Sequence, residues 1–216
     1  VYICPNANES LDSINSSCPG IISISSFPDL PIVGGSILVN VTNDFYYFEG
    51  IDNVSIGVGI NESDYCGAHI FHNVVLDQNV SCNGDAFFAS SDGITIDLNG
   101  FTVSGDGSGI GINISSFDNV SVINGNVEGF TTGIFVDPAI GIMVSGISIE
   151  NNVEGIYFEE INQSVIINNN ITGNTNYGIH LVSANNNTIK GNLIWNNSFD
   201  GIFTERSDLN NITGNN

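Results

Sequence analysis

Apolar residues recur along the second two-thirds of the chain with a long period that no single helix or hairpin accounts for. A Gly-Ile pair returns at Gly109-Ile110, Gly133-Ile134, Gly155-Ile156, Gly178-Ile179 and Gly201-Ile202, in steps of 22 to 24 residues. The same offsets, with one inserted residue near Asn176, align three apolar columns. They are Leu98, Val122, Val144, Ile166, Ile189 and Ile212; Val103, Val127, Ile149, Ile171 and Ile194; and Ile110, Ile134, Ile156, Ile179 and Ile202. Most members are β-branched, which suits strands. No 3.6-residue apolar period runs through the region, so a helical or leucine-rich solenoid is not expected.

Two further columns contain only Gly and Asn: Gly100, Asn124, Gly146, Asn168, Gly191 and Gly214, and then Gly105, Gly129, Asn151, Gly173 and Asn196. These residue types enter the left-handed backbone region at low cost, so each column marks a tight bend. Three short strands and three bends per coil of about 23 residues predict an all-β fold, a triangular parallel β-helix solenoid whose coils stack like on like. No coil can bury its apolar face alone, so several must stack to make a core.

Residues 1–65 break the pattern. Their β-rich runs are Gly20–Ser26, Ser36–Val41, Phe45–Phe48 and Asn53–Gly59, interrupted by Pro5, Pro19, Pro28 and Pro31. They are expected to form a small disulfide-tied β segment, either a cap or a partial β-sandwich, ahead of a β-helix over 66–216.

Composition narrows the function. Asp and Glu total 23 against 2 Lys and Arg, a net charge of −21, which argues against nucleic acid and anionic membranes as partners. Polarity comes instead from Asn, 33 residues, and from Ser and Thr. No 18-residue apolar run predicts a membrane span. The four cysteines allow three connectivities, of which the local pairs Cys4–Cys18 and Cys66–Cys82 are favoured; neither pair has zinc-type spacing. Disulfides imply an oxidising compartment. Thirteen Asn-x-Ser/Thr sequons agree with it: Asn8, Asn15, Asn40, Asn53, Asn61, Asn79, Asn113, Asn119, Asn162, Asn170, Asn186, Asn196 and Asn211. A start at Val1 is what a secreted chain with its signal peptide removed presents.

The stretch Ile94-Thr-Ile-Asp-Leu-Asn-Gly-Phe-Thr-Val-Ser-Gly105 resembles the opening coil of right-handed parallel β-helix proteins. Later coils, such as Val165-Ile-Ile-Asn-Asn-Asn-Ile-Thr-Gly-Asn174, resemble the NosD-like repeats of the pectate-lyase-like superfamily. The segment from Cys66 to Cys82, running into Asp92-Gly93, resembles the lead-in coil of prokaryotic surface proteins of this type. The resemblance covers about residues 66–216 and implies a right-handed helix. It carries little about function, because the superfamily includes lyases, hydrolases, binding modules and structural proteins.

Chemistry-bearing residues are few. The superfamily's lyases use a basic residue, and this chain offers only Lys190 and Arg206, in different columns. The Asn-Thr-Asp and Asp-Asp motifs of galacturonan hydrolases are missing, so no catalytic residue is assigned and no enzyme is expected. Asp137 and Glu159 share a column, with Glu160 adjacent and Glu205 two coils beyond. His69, His72 and His180 are scattered, and no metal site is expected. Calcium stays a candidate without a loop motif to support it, and no cofactor is expected.

Phe135, Tyr157, His180 and Phe203 form a column one residue past the third apolar column, so strand alternation points them outward as a candidate binding stripe. The coil that ends at Leu209-Asn-Asn-Ile-Thr-Gly-Asn-Asn216 carries no capping element, which predicts head-to-tail self-association. The leading expectation is an extracellular, N-glycosylated structural protein of a filament, sheath or surface layer. The alternative is a carbohydrate-binding adhesin using the aromatic stripe, and behind it a polysaccharide lyase or glycoside hydrolase.

Overall fold

The computed structural model describes residues 65–216 continuously and, before them, the strands Tyr2–Ile3, Ile22–Ser23, Leu38–Thr42 and Phe45–Glu49. The chain divides into two units, Val1–Ile60 and Asn61–Asn216. In the first, Tyr2–Ile3 pairs antiparallel with Ile22–Ser23, and Leu38–Thr42 pairs antiparallel with Phe45–Glu49. The Asn53–Gly59 run, Cys4 and Cys18 lie outside the described residues.

The second unit is a parallel solenoid. One of its faces is a sheet of seven strands, one per coil, ordered as the coils follow one another. Like residues stack on like: Val122 pairs with Val144, Val144 with Ile166, Ile166 with Ile189 and Ile189 with Ile212. Val103, Val127, Ile149, Ile171 and Ile194 form the ladder of the second face, and Ile134, Ile156, Ile179 and Ile202 that of the third. Members inside the stack are essentially inaccessible to solvent. Each buried Ile or Val stabilises by about 1.5–3 kcal/mol before chain entropy is subtracted. Cys66 and Cys82 are joined in a disulfide with Cα atoms 5.4 Å apart, tying the first described coils together.

Two expected column members are displaced. Val122 stands on Ile96, not Leu98, and Ile134 stands on Ile112, not Ile110. The cause is two inserted residues at each of two corners. Seven positions separate Ile96 from Val103 where five separate Val122 from Val127, and nine separate Val103 from Ile112 where seven separate Val127 from Ile134. Leu98 is still buried, turned inward over Gly125, where an added Cβ would lie 2.4 Å from Leu98 Cβ. Gly111, rather than Gly109, belongs to the glycine column. A Cβ on Gly111, Gly133, Gly155 or Gly178 would lie 2.4–2.7 Å from the carbonyl oxygen of the next glycine in the column, so close coil stacking dictates the residue.

The bends follow the expected columns with one exception. Gly100, Asn124, Gly146, Asn168, Gly191 and Gly214 all have positive φ, as do Gly129, Asn151, Gly173 and Asn196. Gly105 does not; the inserted loop moves the left-handed residue to Gly107. The remaining corner contains two bends rather than one. Ser116, Glu160, Ser183 and Arg206 make the first, and Asn119, Gly141, Gln163, Asn186 and Leu209 the second, all with positive φ. A coil therefore turns four times, not three.

Buried asparagines line the corners. Asn169 accepts a hydrogen bond from Ile147 N–H at 3.0 Å and donates its amide to the Val144 carbonyl and to Asn192 Oδ1, each at 3.0 Å. Asn192 repeats this with Asn215. Asn152, Asn174 and Asn197 form an equivalent ladder, and Ser164, Asn187 and Asn210 a third. Each amide pairs corner N–H and C=O groups that the strands leave open, which a buried backbone requires.

Candidate functional site: the aromatic and acidic face

The third face carries the chemistry-bearing side chains. Its strands Thr132–Val136, Glu154–Glu159, Ile179–Val182 and Ile202–Glu205 place Ile134, Ile156 and Ile179 in the core. Alternation then turns the next residue outward, and Phe135, Tyr157, His180 and Phe203 stand in register as expected. Phe135 meets Tyr157 edge-on with ring centroids 5.5 Å apart. Tyr157 stacks on His180 at 4.7 Å, and His180 meets Phe203 at 5.3 Å.

The structure adds residues to this stripe. Tyr177 stacks on Phe203 at 4.6 Å and meets His180 edge-on at 4.8 Å, with Phe199 beyond it at 5.9 Å. Tyr177 sits at the inserted residue near Asn176, so column alignment passes over it. At the other end, His69 stacks on Phe88 at 5.1 Å in the same column, and Asn113 separates that pair from Phe135.

Carboxylates surround the rings. Tyr157 donates its hydroxyl to Glu159 Oε2 at 3.0 Å; burial and that bond push its pKa up to about 12. Asp137 is raised above the ordinary aspartate value by partial burial and then by the charges of Glu159 and Glu160. Val182 stands between Glu159 and Glu205, and Glu205 pairs with Arg206 at 3.3 Å in an exposed contact. Lys190 lies on another face, between Ile167 and Thr213.

Behind the rings, Glu154 accepts a hydrogen bond from Asn176 Nδ2 with one carboxylate oxygen. Its other oxygen and both ring nitrogens of His180 are buried without a hydrogen-bond partner. His180 Nδ1 and Glu154 Oε2 are 3.7 Å apart, a charge-pair distance, yet burial is the largest influence on both and favours both neutral forms. It raises Glu154 and lowers His180, with Glu205 and Glu159 opposing the second shift. The desolvation cost of an ionised pair here outweighs its attraction.

The sequons fall into two groups. Asn119, Asn186 and Asn196 are exposed at left-handed corners, and Asn211 is exposed on its strand. Asn79 is exposed too, with its Oδ1 accepting from Thr102 N–H; by contrast, Asn113, whose Oδ1 accepts from Ser115 Oγ, and Asn170, which donates to Ser148 Oγ, are half-buried. Asn162 is half-buried. Asn8, Asn15, Asn53 and Asn61 lie outside the described residues, as does the side chain of Asn40.

A stack of parallel coils with a buried aliphatic interior and glycine and asparagine corners defines a β-helix repeat protein. Residues 78–216 match the family described as "Periplasmic copper-binding protein (NosD)", and the chain belongs to that family. No curated protein and no solved structure matches it. The description makes this an exported, envelope-associated type of protein, and no helix among the described residues is long and apolar enough to cross a membrane.

Copper calls for imidazole, thiolate or thioether ligands converging on one point. Among the described residues, no group of three or more His, Cys, Asp or Glu converges in that way. The two described cysteines are joined in a disulfide. Met143, the single methionine, stands between Ser121 and Val165 on its sheet. Among the described residues, His180 has only Glu154 as an acidic neighbour in pairing distance. The described residues therefore do not fit the metal in the family's description.

Proposed function

We propose that the chain is an exported structural protein of the cell surface, N-glycosylated, whose subunits meet coil to coil in a filament, sheath or layer. The observation that supports this reading is the uninterrupted laddering. Each coil satisfies its strand edges and its corner asparagines through the coil beside it. Such a stack is continued by any further coil with the same pattern, in the same chain or in a neighbouring subunit. Its mechanism is mechanical: shared ladders and a dry core give a stiff, protease-resistant unit. Electron microscopy of the native material, with sedimentation of the purified chain, tests this. Regular polymers are expected, and a species that stays monomeric at high concentration and forms no ordered array overturns it.

The aromatic face supports a second reading, an adhesin that holds a ligand on Phe135, Tyr157, His180 and Phe203. Contiguous outward rings flanked by carboxylates exceed what coil stacking alone requires. Ligand retention that falls in Tyr157→Ala and Phe203→Ala, with the fold intact, supports it.

A further inference from the structure

The rings and acids of the third face form one electrostatic unit. Tyr157 on His180 and Tyr177 on Phe203 are two stacked pairs that meet edge to face. Aromatic faces carry negative quadrupole potential and attract organic cations. Asp137, Glu154 and Glu159 all bear on Tyr157, and Glu159 and Glu205 bear on His180. Within the chain this field is almost uncompensated. Only two residues are Lys or Arg; Arg206 is already beside Glu205, and Lys190 is on another face.

We propose that this face docks an extended, basic segment of a different polypeptide, its lysine or arginine side chains lying on the Tyr157, His180, Tyr177 and Phe203 rings and reaching Glu159 and Glu205. This deepens the adhesin reading and rests on it. A second copy of the chain is the wrong partner for this face, because it has only 2 Lys and Arg side chains to offer these carboxylates. The geometry suits a strand. Coils repeat every ~4.8 Å, so Asp137 to Glu205 spans roughly 14 Å. Same-side side chains of an extended peptide repeat every ~6.8 Å, so three of them cover that span. A calcium ion needs several oxygens converging on one point, whereas Val182 separates Glu205 from Glu159, and among the described residues no three acids converge. A neutral sugar can stack on the rings, but it leaves the crowded charges of Asp137 and Glu159 unrelieved.

The test is calorimetric titration of the full chain with a ten-residue peptide of alternating arginine and glycine. An acidic peptide of the same length and neutral oligosaccharides serve as comparisons. The basic peptide alone is expected to bind. Glu159→Gln with Glu205→Gln is expected to weaken it about tenfold. Phe203→Leu, which keeps every charge, is expected to weaken it about threefold. Glu205 is exposed, so Glu205→Gln by itself keeps the fold and still reads out the charge contribution. Binding unchanged in Phe203→Leu and Tyr177→Leu overturns the proposal, because diffuse charge then accounts for all of it. Oligosaccharide binding without peptide binding overturns it and leaves the adhesin reading standing. Binding of neither overturns both.

Discussion

Single residues on this solenoid are constrained chiefly by the coil next door. Gly155 is not at a left-handed bend; it is glycine because a Cβ would lie 2.4 Å from the Gly178 carbonyl oxygen. That oxygen is backbone and cannot swing away. Gly155→Ala should therefore destabilise the protein by about 1–3 kcal/mol, with a lowered urea midpoint as the readout. Gly146→Asn is the contrast. Gly146 has φ 67, the region Asn enters readily, and its nearest neighbour, Asn124 Oδ1, is 3.4 Å from an added Cβ. A loss well below that of Gly155→Ala is expected there. His180 makes a different prediction, about pH. Burial lowers its pKa below 6.5, so the unfolded chain takes up the proton first. Its contribution is present above that value and fades as pH falls towards the lowered one. Glu154, raised above 4.5, acts in the opposite sense: it favours the folded state below its ordinary value and stops doing so as pH rises through the raised one. Melting temperatures of wild type and His180→Phe between pH 7 and 5 separate the first effect from the general relief of acidic repulsion. The wild type should lose ground to the variant as pH falls, and parallel curves sink the idea.

At the scale of strands and corners, the sequence was legible where residue type follows from local backbone need. The second apolar column and the Asn124 bend column stand where the sequence pattern puts them, because left-handed corners call for Gly or Asn and inward strand positions call for β-branched residues. Inserted residues shift the register without a local signal, so column alignment places Leu98 and Ile110 where Ile96 and Ile112 stand. The third corner is expected as a single bend and holds two, because Asn119, Gly141 and Asn186 share it with Glu160, Gln163, Ser183 and Arg206, which carry no left-handed signature to complete a column. The deeper omission was the asparagine ladders. Asn signals bends and surface, yet Asn169, Asn174 and Asn192 are no more than 2% exposed. Their role depends on the next coil rather than on local sequence, so neighbouring residues could not announce it. Asn169→Leu should strand the Ile147 N–H and the Val144 carbonyl inside the core. At about 1–3 kcal/mol for each buried group left unpaired, the loss is roughly 2–6 kcal/mol. Denaturant unfolding checks it, and a variant as stable as wild type would mean the amides are dispensable.

For the whole molecule, the stripe was visible as a column, but Tyr177, one residue ahead of Gly178, entered it only through tertiary proximity. The face's electrostatics were likewise illegible, since the shifts at Glu154 and His180 arise from burial that spacing does not encode. The same distinction between position and environment bears on glycosylation. Sequons are equal as motifs and unequal as surfaces. Asn119, Asn186 and Asn196 project from corners, where a glycan meets solvent without disturbing a ladder. Asn113 and Asn170 are half-buried on strands, so a glycan there must part the face around it, and at Asn170 it also competes with the bond that the amide nitrogen donates to Ser148 Oγ. Glycopeptide mass spectrometry of native material should find the corner sites occupied well ahead of Asn113 and Asn170. Equal occupancy across both groups would mean that the glycans are added before the coils stack and that the folded surface does not select among them. Absence of glycan at every site would instead remove glycosylation from the functional reading, while leaving the β-helix and its aromatic face untouched.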